Sequence, residues 1–115
     1  MGYYTAHRLA IDCDDKNKLL AIKAAMKEQD EYFTYALDFE GDEPQSKFNT
    51  YEQCKWYSHE KDMRELSAQF PDVLFTLDGE GEESGDIWTE YHKNGKMQRA
   101  QAKITRGDFD PEQLE

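Results

Sequence analysis

The sequence predicts an α+β fold in two layers, with helices packed on one face of a mainly antiparallel sheet. Segments of alternating apolar and polar residues, typical of half-buried strands, are separated by segments with apolar residues at intervals of three and four, typical of amphipathic helices. In addition, Asn94-Gly95 lies between two alternating segments and favours a tight hairpin turn, because both residues tolerate positive φ. We therefore expect one small domain with consecutive strands paired side by side.

The N-terminal part of the sequence predicts a strand followed by a helix. Residues 3–13 alternate between apolar and polar, and their inward side chains are Leu9, Ile11 and Cys13. Asp14 and Asp15 then favour a helix start, because carboxylates accept hydrogen bonds from free backbone N–H groups and suit the positive end of the helix dipole. The apolar stripe of this helix is Leu19, Ile22 and Met26, and its opposite face carries Lys18, Lys23, Lys27 and Glu28.

The middle of the sequence is harder to assign. Residues 30–48 fit both a short strand and a buried irregular segment that includes an acidic loop. Alternation returns over residues 48–57 and predicts a strand. Ser58 then favours the start of a second helix, Pro71 ends it, and a further strand is expected over residues 72–78.

The C-terminal part predicts an acidic glycine-rich loop over residues 78–86 and then a hairpin whose register is set by Asn94-Gly95. Because strand side chains alternate between faces, the hairpin has two surfaces. The more apolar one, expected to face the core, holds Ile87, Tyr91, Ala100, Ala102 and Ile104. The outward one holds Trp88, Glu90, His92, Met97 and Arg99. Two interpretations of Trp88 remain open: it contacts a partner, or it is covered by residues 30–48 or by the C-terminal tail.

The predicted order of these elements contains the pattern strand–helix–strand twice. This pattern predicts a ferredoxin-like two-layer sandwich with two helices on one face and an added C-terminal hairpin. We expect a single domain over residues 1–106, followed by an acidic tail over residues 107–115.

Charge narrows the class of partner. The chain of 115 residues has 25 acidic and 14 basic residues and a net charge of −11, yet 13% of its residues are aromatic, which favours a folded acidic domain over a disordered one. Direct nucleic-acid binding is not expected, because phosphate contacts need cations. A basic protein partner fits better, although the acidic residues could also serve only solvation.

No catalytic or metal-binding pattern emerges, so we expect neither an enzyme nor a cofactor. A thiol nucleophile would need Cys13 or Cys54 beside a histidine, but Cys13 lies about 20 Å from His7 along an extended strand. The acidic residues of the 78–86 loop lack the spacing of a calcium loop. Without a leader or a long apolar segment, a soluble cytoplasmic protein without contact to membranes is expected.

Several short motifs are similar to a family of small proteins encoded by bacteriophages and mobile elements, related to the ferredoxin-like domain of the Api92-like phage proteins. They are Lys55-Trp56-Tyr57, Phe70-Pro71-Asp72-Val73-Leu74-Phe75, Gly79-Glu80-Gly81-Glu82-Glu83, Gly85-Asp86-Ile87-Trp88 and Asn94-Gly95-Lys96. The resemblance implies the fold and a setting inside a bacterial host cell. It implies no catalytic residues.

These observations predict an inhibitor of the anti-CRISPR type, which occupies the basic nucleic-acid groove of a bacterial defence complex such as a CRISPR effector. The expected partner-binding residues are Asp38, Glu40, Asp42, Glu43, Asp78, Glu80, Glu82, Glu83, Asp86, Trp88, Glu90, His92 and Met97. The alternatives are a small-molecule or nucleotide-binding accessory protein and a self-associating protein with Trp88 at a dimer interface. Either a monomer or a homodimer is compatible with the sequence.

Overall fold

The computed structural model describes residues 3–29, 31–51, 53–103 and 106–115. Within these residues, five strands form one antiparallel sheet, accompanied by three α-helices and a short 3-10 helix. In chain order the elements are β1 (Thr5–Asp12), α1 (Lys16–Gln29), α2 (Glu31–Ala36), β2 (Lys47–Phe48), α3 (His59–Gln69), β3 (Leu74–Gly81), β4 (Ile87–Lys93), β5 (Lys96–Gln101) and the 3-10 helix Pro111–Gln113. The strand order across the sheet is β2-β1-β3-β4-β5.

The predicted α+β class with a two-layer arrangement is confirmed, whereas the ferredoxin-like topology is not. A ferredoxin-like chain places two strands between its two helices. Between α2 and α3, the described residues form only the short strand β2 and isolated bridges, Thr5 with Cys54 and Leu37 with Thr50. The predicted continuous strand over residues 48–57 is therefore wrong, although Cys54 and Trp56 of this segment are both buried.

Local signals explain where the helices begin and end. The Asp15 carboxylate accepts hydrogen bonds from the backbone N–H groups of Asn17 and Lys18, at 2.9 and 3.2 Å, and so caps α1 as predicted. Ser58 precedes α3 without capping it, because its hydroxyl donates to the Asp62 carboxylate instead.

Two further segments differ from the expectation. Residues 30–48, which the sequence left unassigned, contain the helix α2. Strand β3 continues to Gly81, so only residues 82–86 of the predicted acidic loop lie outside strands.

The predicted register of the β4–β5 hairpin is confirmed, but the assignment of its two faces is wrong. Asn94 and Gly95 both have positive φ, 52° and 75°, and Trp88 lies opposite Gln101 as expected. However, Trp88 is 5% exposed, whereas Ile87 on the supposed inward face is 40% exposed. The face that carries Trp88 packs against α3, and Ile104 lies outside the described residues.

The core lies between the sheet and the helices. Its sheet side is formed by alternate residues of β1, β3 and β4, and its helix side by the apolar stripes of α1 and α3 together with Phe33 of α2. Gly79 lies where the Trp88 ring crosses β3, and a Cβ atom at this position would overlap the ring carbons. No helix among the described residues is long and apolar enough to span a membrane.

Replacement of Gly79 by alanine should destabilise the fold. The added methyl group must displace the buried Trp88 ring, and such overpacking costs about 1–3 kcal/mol. Urea unfolding measures the loss. Gly107→Ala is the matched control, because a Cβ there meets open space, and its unfolding free energy should be unchanged. Equal stability of the two variants would contradict the packing described for Trp88.

Candidate functional site

A buried carboxylate, Glu90 on β4, is the centre of the polar interior. One oxygen, Oε1, accepts hydrogen bonds from Nδ1 of His59 and Nε2 of His92, both at 3.0 Å. The second oxygen, Oε2, accepts a longer hydrogen bond of 3.5 Å from Arg99 on β5. A carboxylate without exposed surface is compatible with a stable fold only when such donors surround it.

Aromatic rings enclose this carboxylate. His59 stacks on Trp88 with ring centroids 4.7 Å apart, and the Arg99 guanidinium lies 4.9 Å from the Trp88 ring centroid. His7 of β1 meets the edge of Trp56 at 5.2 Å. All three histidines and both tryptophans of the chain therefore meet here, and we call the set the Glu90 cluster: His7, Trp56, His59, Trp88, Glu90, His92 and Arg99.

The surroundings of the cluster lower the pKa of two of its members, His7 and Glu90. For the histidine this favours the neutral form, and for the carboxylate it favours the charged form. Burial, together with the smaller effect of the nearby His59, lowers the pKa of His7 to about 4, so His7 is neutral at pH 7. Burial alone would raise the pKa of Glu90, but the hydrogen bonds from His59 and His92 outweigh it and hold this pKa at about 2. Glu90 is therefore a buried anion at neutral pH.

Hydrogen bonding also fixes the proton positions. His59 must carry its proton on Nδ1 and His92 on Nε2, since both atoms donate to Glu90. His92 Nδ1 is buried without a hydrogen-bond partner among the described residues. The ring nitrogens that face Glu90 thus both donate hydrogen bonds to its carboxylate. The bond from His59 connects α3 to β4 and stabilises their packing.

Three of the predicted partner-binding residues therefore lie inside the molecule. Trp88, Glu90 and His92 are buried, and Met97 is half-buried, so the predicted outward hairpin surface is wrong. The Trp88 ring is covered by His59 and Arg99, and neither residues 30–48 nor the tail is needed to explain its burial. Because Trp88 is buried within the chain, it does not offer an exposed surface for a dimer interface.

The acidic residues of the 78–86 segment lie beside the N-terminal end of β1. Gly81 pairs with Thr5, and the Tyr4 backbone N–H donates to the Glu82 carboxylate at 3.1 Å. The Tyr3 hydroxyl donates to Asp86 at 2.7 Å. The remaining acidic side chains of the segment, at positions 78, 80 and 83, are exposed.

The 38–43 segment lies beside β2, on the other side of β1, where the Asp38 N–H donates to the carbonyl of Asn49 at 2.9 Å. Lys23 was expected on the solvent face of α1, but it is buried and donates to the backbone carbonyls of Glu40 and Glu43, at 3.2 and 2.9 Å. Burial lowers the pKa of this lysine. Because Lys23 binds carbonyl oxygens, the carboxylates of Glu40 and Glu43 remain exposed.

The two acidic segments lie on the two sides of β1. Asp78 and Glu80 belong to β3 and pair with Arg8 and Ala6, whereas the 38–43 segment precedes β2, which pairs with the other edge of β1. Within the part of the chain that the structure describes, Asp42 is the only member of either segment whose carboxylate is paired with a lysine or arginine, at 3.8 Å from Lys27. Basic side chains of the chain thus leave the negative charge of both segments largely uncompensated.

A cleft rich in tyrosine lies beside the 78–86 segment. Its volume is about 610 Å³, and it is lined by Tyr4, Glu31, Tyr32, Thr34, Tyr35, Gln53, Cys54 and Lys55. The Tyr32 and Tyr35 rings meet edge to face at 5.9 Å, and the Lys55 ammonium lies 5.2 Å from the centre of the Tyr4 ring. No sequence pattern indicates this tyrosine cleft, because its residues come from three distant segments.

Comparisons with family models, with curated proteins and with solved structures found no match for this chain. The resemblance to phage proteins therefore stays a prediction.

Acid should destabilise the fold through His7. A folded pKa of about 4, below the ordinary 6.5, means that the unfolded chain binds the proton more tightly, so stability is complete above pH 6.5 and falls towards pH 4. The loss should reach about 3 kcal/mol, measured by urea unfolding across this range. Glu90 adds a second loss below pH 4.5, because protonation removes an acceptor whose folded pKa is about 2.

His7→Phe is the control for this dependence. The phenyl ring keeps an aromatic group beside Trp56 but binds no proton, so the variant should lose less stability than the parent between pH 6.5 and pH 4. Identical pH profiles for the two proteins would show that His7 does not carry the effect.

Proposed function

We propose that this chain is a non-enzymatic acidic protein that binds a basic surface of a partner protein. In the specific form that the sequence favours, the partner is the nucleic-acid-binding groove of a bacterial defence complex, such as a CRISPR effector, in the cytoplasm of the host cell. Binding there would exclude the nucleic acid. The proposal assigns the contact to the two acidic segments and not to the buried Glu90 cluster.

The observation that carries the proposal is the exposed, uncompensated negative charge of the 38–43 and 78–86 segments. Most of their carboxylates face solvent, and Lys27 is the only lysine or arginine paired with a carboxylate of either segment in the described part of the chain. Such charge does little for folding, since like charges repel within the compact state. It is useful for attracting a partner of opposite sign.

The backbone of both segments is held in place, which favours recognition over a disordered acidic tail. In the 78–86 segment the Glu83 N–H donates to the Tyr3 hydroxyl at 2.9 Å, and in the 38–43 segment Lys23 donates to two backbone carbonyls. Buried Gln45 adds hydrogen bonds to the N–H of Glu40 and the carbonyl of Asp38. Because these loops are already ordered, binding requires less loss of conformational entropy.

Neutralisation of both segments should slow association with the partner. In a variant with Glu40, Glu43, Glu80 and Glu83 replaced by glutamine, the association rate at low salt should fall roughly three- to tenfold, because these exposed charges steer the encounter. The difference should disappear at high salt. Biolayer interferometry against a panel of purified CRISPR effectors measures both effects.

A control variant removes two exposed charges that lie outside both segments. Glu28→Gln with Glu65→Gln alters exposed residues of α1 and α3, and association should stay close to that of the parent. If no effector in the panel binds the parent protein at low salt, the proposed target class is wrong. If the two variants slow association by the same factor for each charge removed, the net charge of the chain determines binding, and the two segments have no special role.

A further inference from the structure

The tyrosine cleft offers recognition chemistry that differs from that of the acidic segments. Tyr4, Tyr32 and Tyr35 are 43%, 40% and 59% exposed, which is unusual for large aromatic side chains gathered in one concave site. Tyrosine is enriched in the centres of protein interfaces, where its rigid ring provides contact area at a low entropic cost. The cleft volume, about 610 Å³, is enough to enclose a long side chain.

A cation already occupies part of this site. The Lys55 ammonium lies 5.2 Å from the centre of the Tyr4 ring, within the range of a cation–π contact. The Tyr4 ring thus already has a cation beside it, and the most exposed ring of the cleft is that of Tyr35 on α2, which meets Tyr32 edge to face at 5.9 Å. The Glu31 carboxylate, at the first residue of α2, lines the same cleft and favours positive charge there.

Acidic residues lie directly beside the entrance. Tyr4, which lines the cleft, donates its backbone N–H to Glu82, so the 78–86 segment and the cleft meet at this residue. Two further exposed tyrosines, Tyr51 and Tyr57, belong to the segment that borders the cleft. Five of the seven tyrosines of the chain therefore come from the segments around this site, and negative charge flanks it.

We propose that the tyrosine cleft binds an arginine side chain from a basic segment of the partner protein, with the guanidinium stacked on the tyrosine rings and paired with Glu31. The inference rests on the proposed function, since it names the partner group that the acidic protein recognises. Arginine fits better than lysine, because its planar, weakly hydrated guanidinium stacks on aromatic faces and binds a carboxylate with two parallel hydrogen bonds.

Two fluorescein-labelled peptides of equal length and charge test the proposal, one of alternating glycine and arginine and one of alternating glycine and lysine. Fluorescence polarisation at low salt should show about three- to tenfold tighter binding of the arginine peptide. Tyr35→Ala should remove this preference, whereas Tyr35→Phe should keep it, because the phenyl ring retains its π face.

Tyr91→Ala is the matched control, since Tyr91 is 37% exposed on β4 and does not line the cleft, so the preference should be unchanged. Glu80→Gln with Glu83→Gln should weaken both peptides to the same extent. Equal affinity for arginine and lysine peptides, no binding of either, or a preference that survives Tyr35→Ala overturns the proposal for the cleft. The proposal for the acidic segments is decided separately by the effector panel, so the failure of one does not hide the outcome of the other.

Discussion

The burial of one carboxylate charge, that of Glu90, is the constraint on which much of the structure depends. Its two oxygens are satisfied by groups from three elements, α3, β4 and β5. Because removal of one partner from a buried ion pair typically costs about 3–5 kcal/mol, these elements have little freedom to move apart. The hairpin turn is held against α3 as well, since the Gly95 N–H donates to Ser67. The acidic surface is therefore displayed on a scaffold whose interior also contains charge.

The Glu90 cluster and the exposed carboxylates use the same chemical group in opposite ways. Inside, Glu90 has donors on both oxygens and serves packing. Outside, Glu80 and Glu83 have open solvent around them and are available to a partner. Location in the fold, and not residue type, separates the structural acidic residues from those proposed for recognition.

Sequence patterns predicted the parts of the fold that local physics determines. The Asn94-Gly95 turn and its register follow from the backbone conformation these residues tolerate, and the start of α1 follows from Asp15. The hairpin faces could not be predicted, because hydropathy ranks Glu90 and His92 as surface residues and ignores that they satisfy each other. Lys23 was misplaced for a similar reason, since its carbonyl acceptors are distant in sequence. The tyrosine cleft depends on tertiary contacts alone.

The placement of the acidic segments on the two sides of β1 has a consequence for how a partner is held. Two weak attachments on one rigid body act together, because occupation of the first keeps the second at a high local concentration. A partner with two basic patches at a similar spacing would gain avidity that a partner with one patch cannot. Selection among basic proteins would then depend on the distance between their patches.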